Sequence, residues 1–200
     1  MSDSSQVFYF VETKVSQLSR SGSQQTATLA KLRRCLGKPP GASPEAWELT
    51  LSDLPESLVG YDGEPSYAEW AIHLALTLFA LHQQGKPDSI SVSGISFGKA
   101  VRHLVAPDGS NENGVKRRFD AVLTAKGINE FAHHARGLIQ LMKANDVRMD
   151  YPSFARDVFY YQFSDSQDRV RLRWGEDYYQ VSSAQNITSE RETDENKEKE

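Results

Sequence analysis

Apolar side chains recur along this chain at helical spacing, and the breaks between them fall on proline and glycine. Leu29, Leu32 and Leu36 line one face of a helix starting near Thr26. Ser66 and Glu69 have the spacing of a capping box, in which the hydroxyl accepts from a free backbone N–H and the carboxylate reaches back. The segment after it carries Trp70, Ile72, Leu74, Leu76, Leu78, Phe79 and Leu81, apolar nearly all round, as in a helix buried on every side. Gly85 and Pro87 stop it. Phe97, Val101, Leu104 and Val105 make a shorter face, and Val115, Phe119, Val122 and Leu123 the next. Ile128, Phe131, Ala135, Leu138, Ile139 and Met142 form a longer stripe. Asp150, with Pro152 in the first turn, starts a helix bearing Phe154, Val158 and Tyr161. Ser164 or Asp165 starts a last one with Val170, Trp174 and Tyr178. Only "SISVS" alternates in the manner of a strand.

Punctuation divides these segments at "GKPPGASPE" (37–45), "GKPDSISVSG" (85–94) and "APDGSNENG" (106–114). The pattern predicts an all-α protein of about eight helices in two small bundles. An N-terminal helical domain is expected over 1–105 and a C-terminal bundle over 106–182, with the loop at 106–114 between them. Residues 183–200 are polar, acidic and nearly free of large apolar side chains, so a disordered tail is expected there.

Composition narrows the class. A hydrophobic fraction of 38% in 200 residues supports a real core. No run of about 18 apolar residues is present, so no membrane span is expected. Residues 1–25 lack the pattern of a signal peptide. A soluble, cytoplasmic protein is the expectation. The single cysteine, Cys35, excludes an internal disulfide and a cysteine-based zinc site, and has no evident partner base.

Net charge is −4, which is not the profile of a protein that coats nucleic acid indiscriminately. Its distribution is uneven. Residues 1–37 hold five Lys/Arg against two Asp/Glu, and residues 95–148 nine against five, whereas residues 38–94 hold two against eight. Such blocks speak about partners rather than fold.

The densest cluster is Lys116, Arg117 and Arg118 in the first turns of a helix. With about 100° per residue and Phe119 facing the core, Arg117 points opposite, and Lys116 and Arg118 flank the apolar stripe. The macrodipole disfavours cations at a helix N-terminus, where a purely structural choice would be Asp or Glu. An incoming anion would find the side chains and the free N–H groups together. His133, Arg136, Gln140 and Lys143 share the outer face of the following helix. Lys99 and Arg102 share an outer face before it, and Lys31 and Arg34 near the N-terminus, with Arg33 at the apolar edge. Exposed helix faces carry such pairs routinely, so it is the recurrence on four helices that points to a negatively charged partner.

Catalytic chemistry is not legible. "GISFGKA" lacks the glycine spacing and the Ser/Thr of a phosphate-binding loop, so Gly94 and Gly98 read as a helix start and a close-packing position. His73, His82, His103, His133 and His134 show no ligand spacing, and His73 on the buried helix reads as a satisfied core residue. Asp165 and Asp168 read as caps rather than a dyad. No enzyme activity, metal or cofactor is expected.

The blocks "GISFGKAVRHL", "KRRFDAVLTA", "INEFAHHARGLIQLMKANDVRMDYPSFARDVFYYQF" and "DRVRLRWGEDYY" resemble the CasB family, the small subunits of the type I-E CRISPR surveillance complex Cascade. The resemblance runs from about Ala27 to Val181 and is strongest after Gly94. It departs at Lys116, where the family often has an acid. It implies an all-α, two-domain, non-catalytic subunit that meets other Cascade subunits and a second copy of itself. It also implies contact with the backbones of guide RNA and target DNA, with no small-molecule substrate and no membrane. The implied contact residues are Lys99, Arg102, Arg117, Arg118 and Arg136, then Lys116 and Lys143. Arg33 and Arg34 fall on the family's basic N-terminal helix, and Arg169 and Arg171 on its last helix, with Arg173 set toward the core. The alternative is a helical adaptor that bridges other subunits without touching nucleic acid, for which the acidic stretch 45–69 would meet a basic partner.

Overall fold

The computed structural model describes the backbone of residues 1–20 and 22–197 and the side chains as far as Gln180; the side chains of the tail expected at 183–200 lie outside that range. Among the described residues the architecture is nine α-helices with no strand: α1 (Asp3–Leu18), α2 (Ser23–Arg34), the single turn α3 (Trp47–Thr50), α4 (Tyr67–His82), α5 (Phe97–Arg102), α6 (Glu112–Leu123), α7 (Ile128–Ala144), α8 (Tyr151–Tyr161) and α9 (Ser164–Lys197). The "SISVS" alternation forms only an isolated parallel bridge, Ser91 with Met149.

α4 is the central helix. All of residues 71–82 are buried, as its all-round apolar pattern requires. Its capping box is present: Glu69 N donates to Ser66 Oγ at 3.0 Å, and Ser66 N to Glu69 Oε2 at 2.7 Å. α1, α2, α7 and α8 pack around it.

The structure adds a helix ahead of Thr26, where the sequence pattern assigns no element. α1 spans Asp3–Leu18, capped by Ser2, and buries Val7, Phe10, Val11, Val15 and Leu18 against α8 and α4. Those residues do repeat at i, i+3 and i+4, but intervening Ser, Thr and Lys weaken the stripe. α2 begins at Ser23 rather than Thr26. The buried apolar residues on both sides of the 106–114 loop belong to one continuous core.

α8 starts at the expected signal. Asp150 accepts from Ser153 N at 2.9 Å, and its other oxygen accepts from Gly94 N at 3.0 Å, tying the turn before α5 to α8. Gly94 sits at φ +85°, where a side chain would be strained. α9 closes the fold through Trp174, which is fully buried beside Phe97, with the ring centroids 4.9 Å apart. Its indole N–H donates to Asp157 Oδ2 at 2.7 Å. Gly98 on α5 lets the two backbones touch: a Cβ there would lie 2.2 Å from the Trp174 carbonyl oxygen.

Candidate nucleic-acid interface

The fold sorts the predicted cations by what already neutralises them. Lys116 bonds Asp120 at 2.8 Å, one turn on, which holds its ammonium above its ordinary pKa. Arg118 is exposed and donates to the Gly114 carbonyl of its own helix at 2.9 Å. Arg117 is exposed and makes no ion pair among the described residues. The cations fan outward, but they begin at the fifth residue of α6: Glu112 holds the first turn, so they stand beyond the free N–H groups, and Lys116 is partly spent on its own helix.

Arg102 is a correction. The helical phase put it on an outer face, but only 14% of its side chain is exposed. Nη1 donates to Glu112 Oε1 at 2.6 Å, and the guanidinium lies 5.6 Å from the Tyr178 ring centroid. Arg102 joins α5, α6 and α9. Lys99, on the same short helix, is half-buried and makes no ion pair among the described residues.

On α9, Arg171 pairs with Asp168 at 3.0 Å and lies 5.5 Å from the Tyr161 ring centroid, so it is largely committed within the fold. Arg169 is exposed and makes no ion pair among the described residues. Arg173, expected to set toward the core, is instead exposed over 48% of its side chain; only its tip reaches the buried carboxylate of Asp157.

A further positive region is assembled from three chain segments. Arg33, at the end of α2, donates from Nη1 to the Ala80 carbonyl at 3.3 Å. Arg34 is bonded to Glu45, which depresses that carboxyl. Lys143 of α7 donates to Gln84 Oε1 at 2.9 Å, a neutral partner. Burial, then Arg33, then Lys86 lower the Lys143 ammonium below its ordinary pKa. Burial, then Arg34, lower Arg33 in the same way. Lys86 is bonded to Asp146. Arg136, two turns earlier on the same face of α7, is exposed and makes no ion pair among the described residues; it lines a cleft with Lys38 and His133.

Lys38 and Lys86 escaped the sequence reading. Both lie in the acidic block 38–94, where they read as isolated charges. Only the α4–α7 packing sets Lys86 beside Lys143, and only the turn after α2 sets Lys38 opposite Arg136.

Among the described residues no group of three His, Cys, Asp or Glu is placed to hold a metal ion. No helix among them is long and apolar enough to cross a membrane.

Residues 28–179 match the family model of CRISPR-associated protein Cse2. The chain belongs to the Cse2 family. Among solved structures, CasB from Thermobifida fusca is 29% identical with a TM-score of 0.74, covering 86% of this chain and 97% of that one. A Cse2-family CRISPR-associated protein from Thermus thermophilus is 25% identical with a TM-score of 0.65, covering 90% and 99%. CasB from M. ruber, at 19% identity and a TM-score of 0.64, shares the fold. No curated protein sequence matches the chain. The Cse2 match accords with the CasB resemblance read from "RDVFYYQF" and "DRVRLRWGEDYY", and it covers every predicted contact residue.

Proposed function

We propose that this Cse2-family chain is the small subunit of a Cascade-like RNA-guided complex and grips nucleic-acid backbones without reading sequence. The observation that carries the reading is the crowding of Arg33, Lys86 and Lys143. Two of these, Arg33 and Lys143, have no carboxylate partner among the described residues, and burial, then the neighbouring Arg33 and Lys86, lower the Lys143 ammonium. A phosphate backbone relieves the repulsion, and its counterion release supplies affinity. Exchange of DNA–DNA for RNA–DNA pairs is nearly balanced, so such protein contacts tip it. The partners are guide RNA, target DNA including the displaced strand, the other Cascade subunits and a second copy of the chain, in the cytoplasm. The role needs no catalysis.

The test is charge reversal in a complex rebuilt from its subunits. Arg136→Glu with Lys143→Glu, and separately Arg117→Glu with Arg118→Glu, are added to a complex lacking its small subunit. Retention of target DNA is followed from about 50 to 300 mM salt, the range over which binding to phosphates weakens steeply. Weaker retention with the subunit still bound supports the reading. Unchanged retention in both pairs overturns it.

The adaptor reading also has an observation behind it. Tyr61 is 91% exposed and Trp47 44% exposed, in a segment that also carries Glu48, Glu56, Asp62 and Glu64. Exposed aromatics among acids suit a basic protein surface. Loss of the subunit from the complex on Tyr61→Ala, with DNA binding intact, would assign this face to a neighbouring subunit.

A further inference from the structure

A cleft of about 330 Å³ opens between the turn after α2, the stretch of α4 from Trp70 to Leu78 and the first half of α7. Trp70, Leu74 and Leu78 give it a flat, apolar wall, and Lys38, His133 and Arg136 a basic and hydrogen-bonding rim. No Asp or Glu is among the described residues that line it. Arg136 makes no ion pair, and the Trp70 indole no hydrogen bond, among the described residues. The rim is held in place from below. His73 is buried, which lowers its pKa, so its neutral ring donates from Nε2 to the Lys38 carbonyl at 3.0 Å. That bond fixes the turn that carries Lys38.

We propose that this cleft holds one unstacked nucleobase of a single strand, with the adjoining phosphate on Arg136 and Lys38. The inference rests on the reading of the basic face as a nucleic-acid interface and adds a base-binding position to it. A phosphate alone has no use for an indole and a leucine wall. A base has a flat π-face that stacks on an aromatic side chain whatever its identity, so the contact stays indifferent to sequence. The cations beside it take the backbone. Arg136 and Lys143 lie seven residues apart on α7, about 10 Å along its axis. A strand leaving the cleft along α7 therefore meets Lys143 and Arg33 next.

Tryptophan emission provides the test. Trp174 is fully buried, so in the full chain carrying Trp47→Phe any quenching on binding reports Trp70. Fluorescein-labelled single-stranded dT15 and an oligomer of equal length made of abasic sites are titrated, reading anisotropy and tryptophan emission. The expected result is quenching by dT15 alone and binding about five-fold or more tighter than the abasic strand. Trp70→Ala then removes the preference for bases and leaves abasic binding in place. Equal binding of both strands without quenching overturns the base pocket and leaves the backbone interface standing. Failure of either strand to bind, alone and in the assembled complex, overturns both. Quenching by dTMP at the concentrations at which dT15 acts would assign the cleft to a free nucleotide and overturn a strand-borne base.

Discussion

Arg102 Nη1 lies 2.6 Å from Glu112 Oε1, with the arginine side chain largely buried and its guanidinium over the Tyr178 ring. This pair fastens the loop at 106–114 by joining the helix before it to the helix after it. Arg102→Ala is expected to cost about 1.5–3 kcal/mol, as for a hydrogen bond to a charged group. Urea denaturation reads the loss. Below the unfolding transition, affinity for single-stranded DNA should stay within about two-fold, since the side chain is not offered to solvent. Normal stability combined with weak DNA binding would return Arg102 to the interface.

The free cations should behave in the opposite way. Arg117→Glu with Arg118→Glu is expected to leave the urea midpoint nearly unchanged, as for exposed charges generally. It should lower the slope of log affinity against log salt by about 0.7–0.9 for each phosphate no longer neutralised. An unaltered slope would mean that this turn meets protein rather than nucleic acid.

Acid should weaken the fold through His82. The ring is fully buried, with Nδ1 3.1 Å from the Tyr151 hydroxyl. Burial drives its pKa down to about 4; Lys86 and Lys143 add to the effect, and the Val147 carbonyl and Asp146 oppose it. Between about pH 6.5 and pH 4 the unfolded chain binds the proton and the folded one does not, so stability rises with pH across that window. A displacement from 6.5 to about 4 corresponds to about 3 kcal/mol. His73, also lowered by burial, acts in the same direction. Burial raises the Asp157 carboxyl, so that group contributes the opposite slope from about pH 3.9 upward. His82→Gln should flatten the rise in urea midpoint between pH 4.5 and 6.5 (about the interval separating the two pKa values). An identical slope in this variant would place the acid sensitivity elsewhere.

Gly98→Ala should destabilise without altering charge. Its Cβ would meet the Trp174 carbonyl oxygen at 2.2 Å, and backbone cannot yield as a flexible side chain does. Forcing α5 from α9 costs about 1–3 kcal/mol, read as a lower Tm. A Tm equal to the parent's would show that α5 and α9 stand further apart.

Val11→Ala tests whether α1 belongs to the core. Val11 is fully buried on the side of α1 that packs against α8 and α4. Removing two methyl groups there should cost about 2 kcal/mol in urea denaturation. A cost near zero would mean that α1 is a loosely docked arm.

What the sequence determined by itself was local. The all-round apolar run of residues 70–81 fixed α4 as the buried helix, and Ser66 with Glu69 fixed its start. Asp150 and Pro152 did the same for α8, because caps and helical phase are written within a few neighbouring residues. The cations of α6 and α7 were legible for the same reason. Tertiary structure decided which of them are free. Arg102 has the phase of an outer residue, yet a glutamate ten positions away, brought round by a loop, takes it inward. Arg33, Lys86 and Lys143 lie on segments far apart in the chain, and only packing around α4 crowds them together. The cleft between Trp70 and Arg136 likewise exists only because α4 and α7 lie side by side. Helical phase says which way a side chain leaves its own axis; it does not say what stands opposite, and charge pairing and cavities are set by what stands opposite.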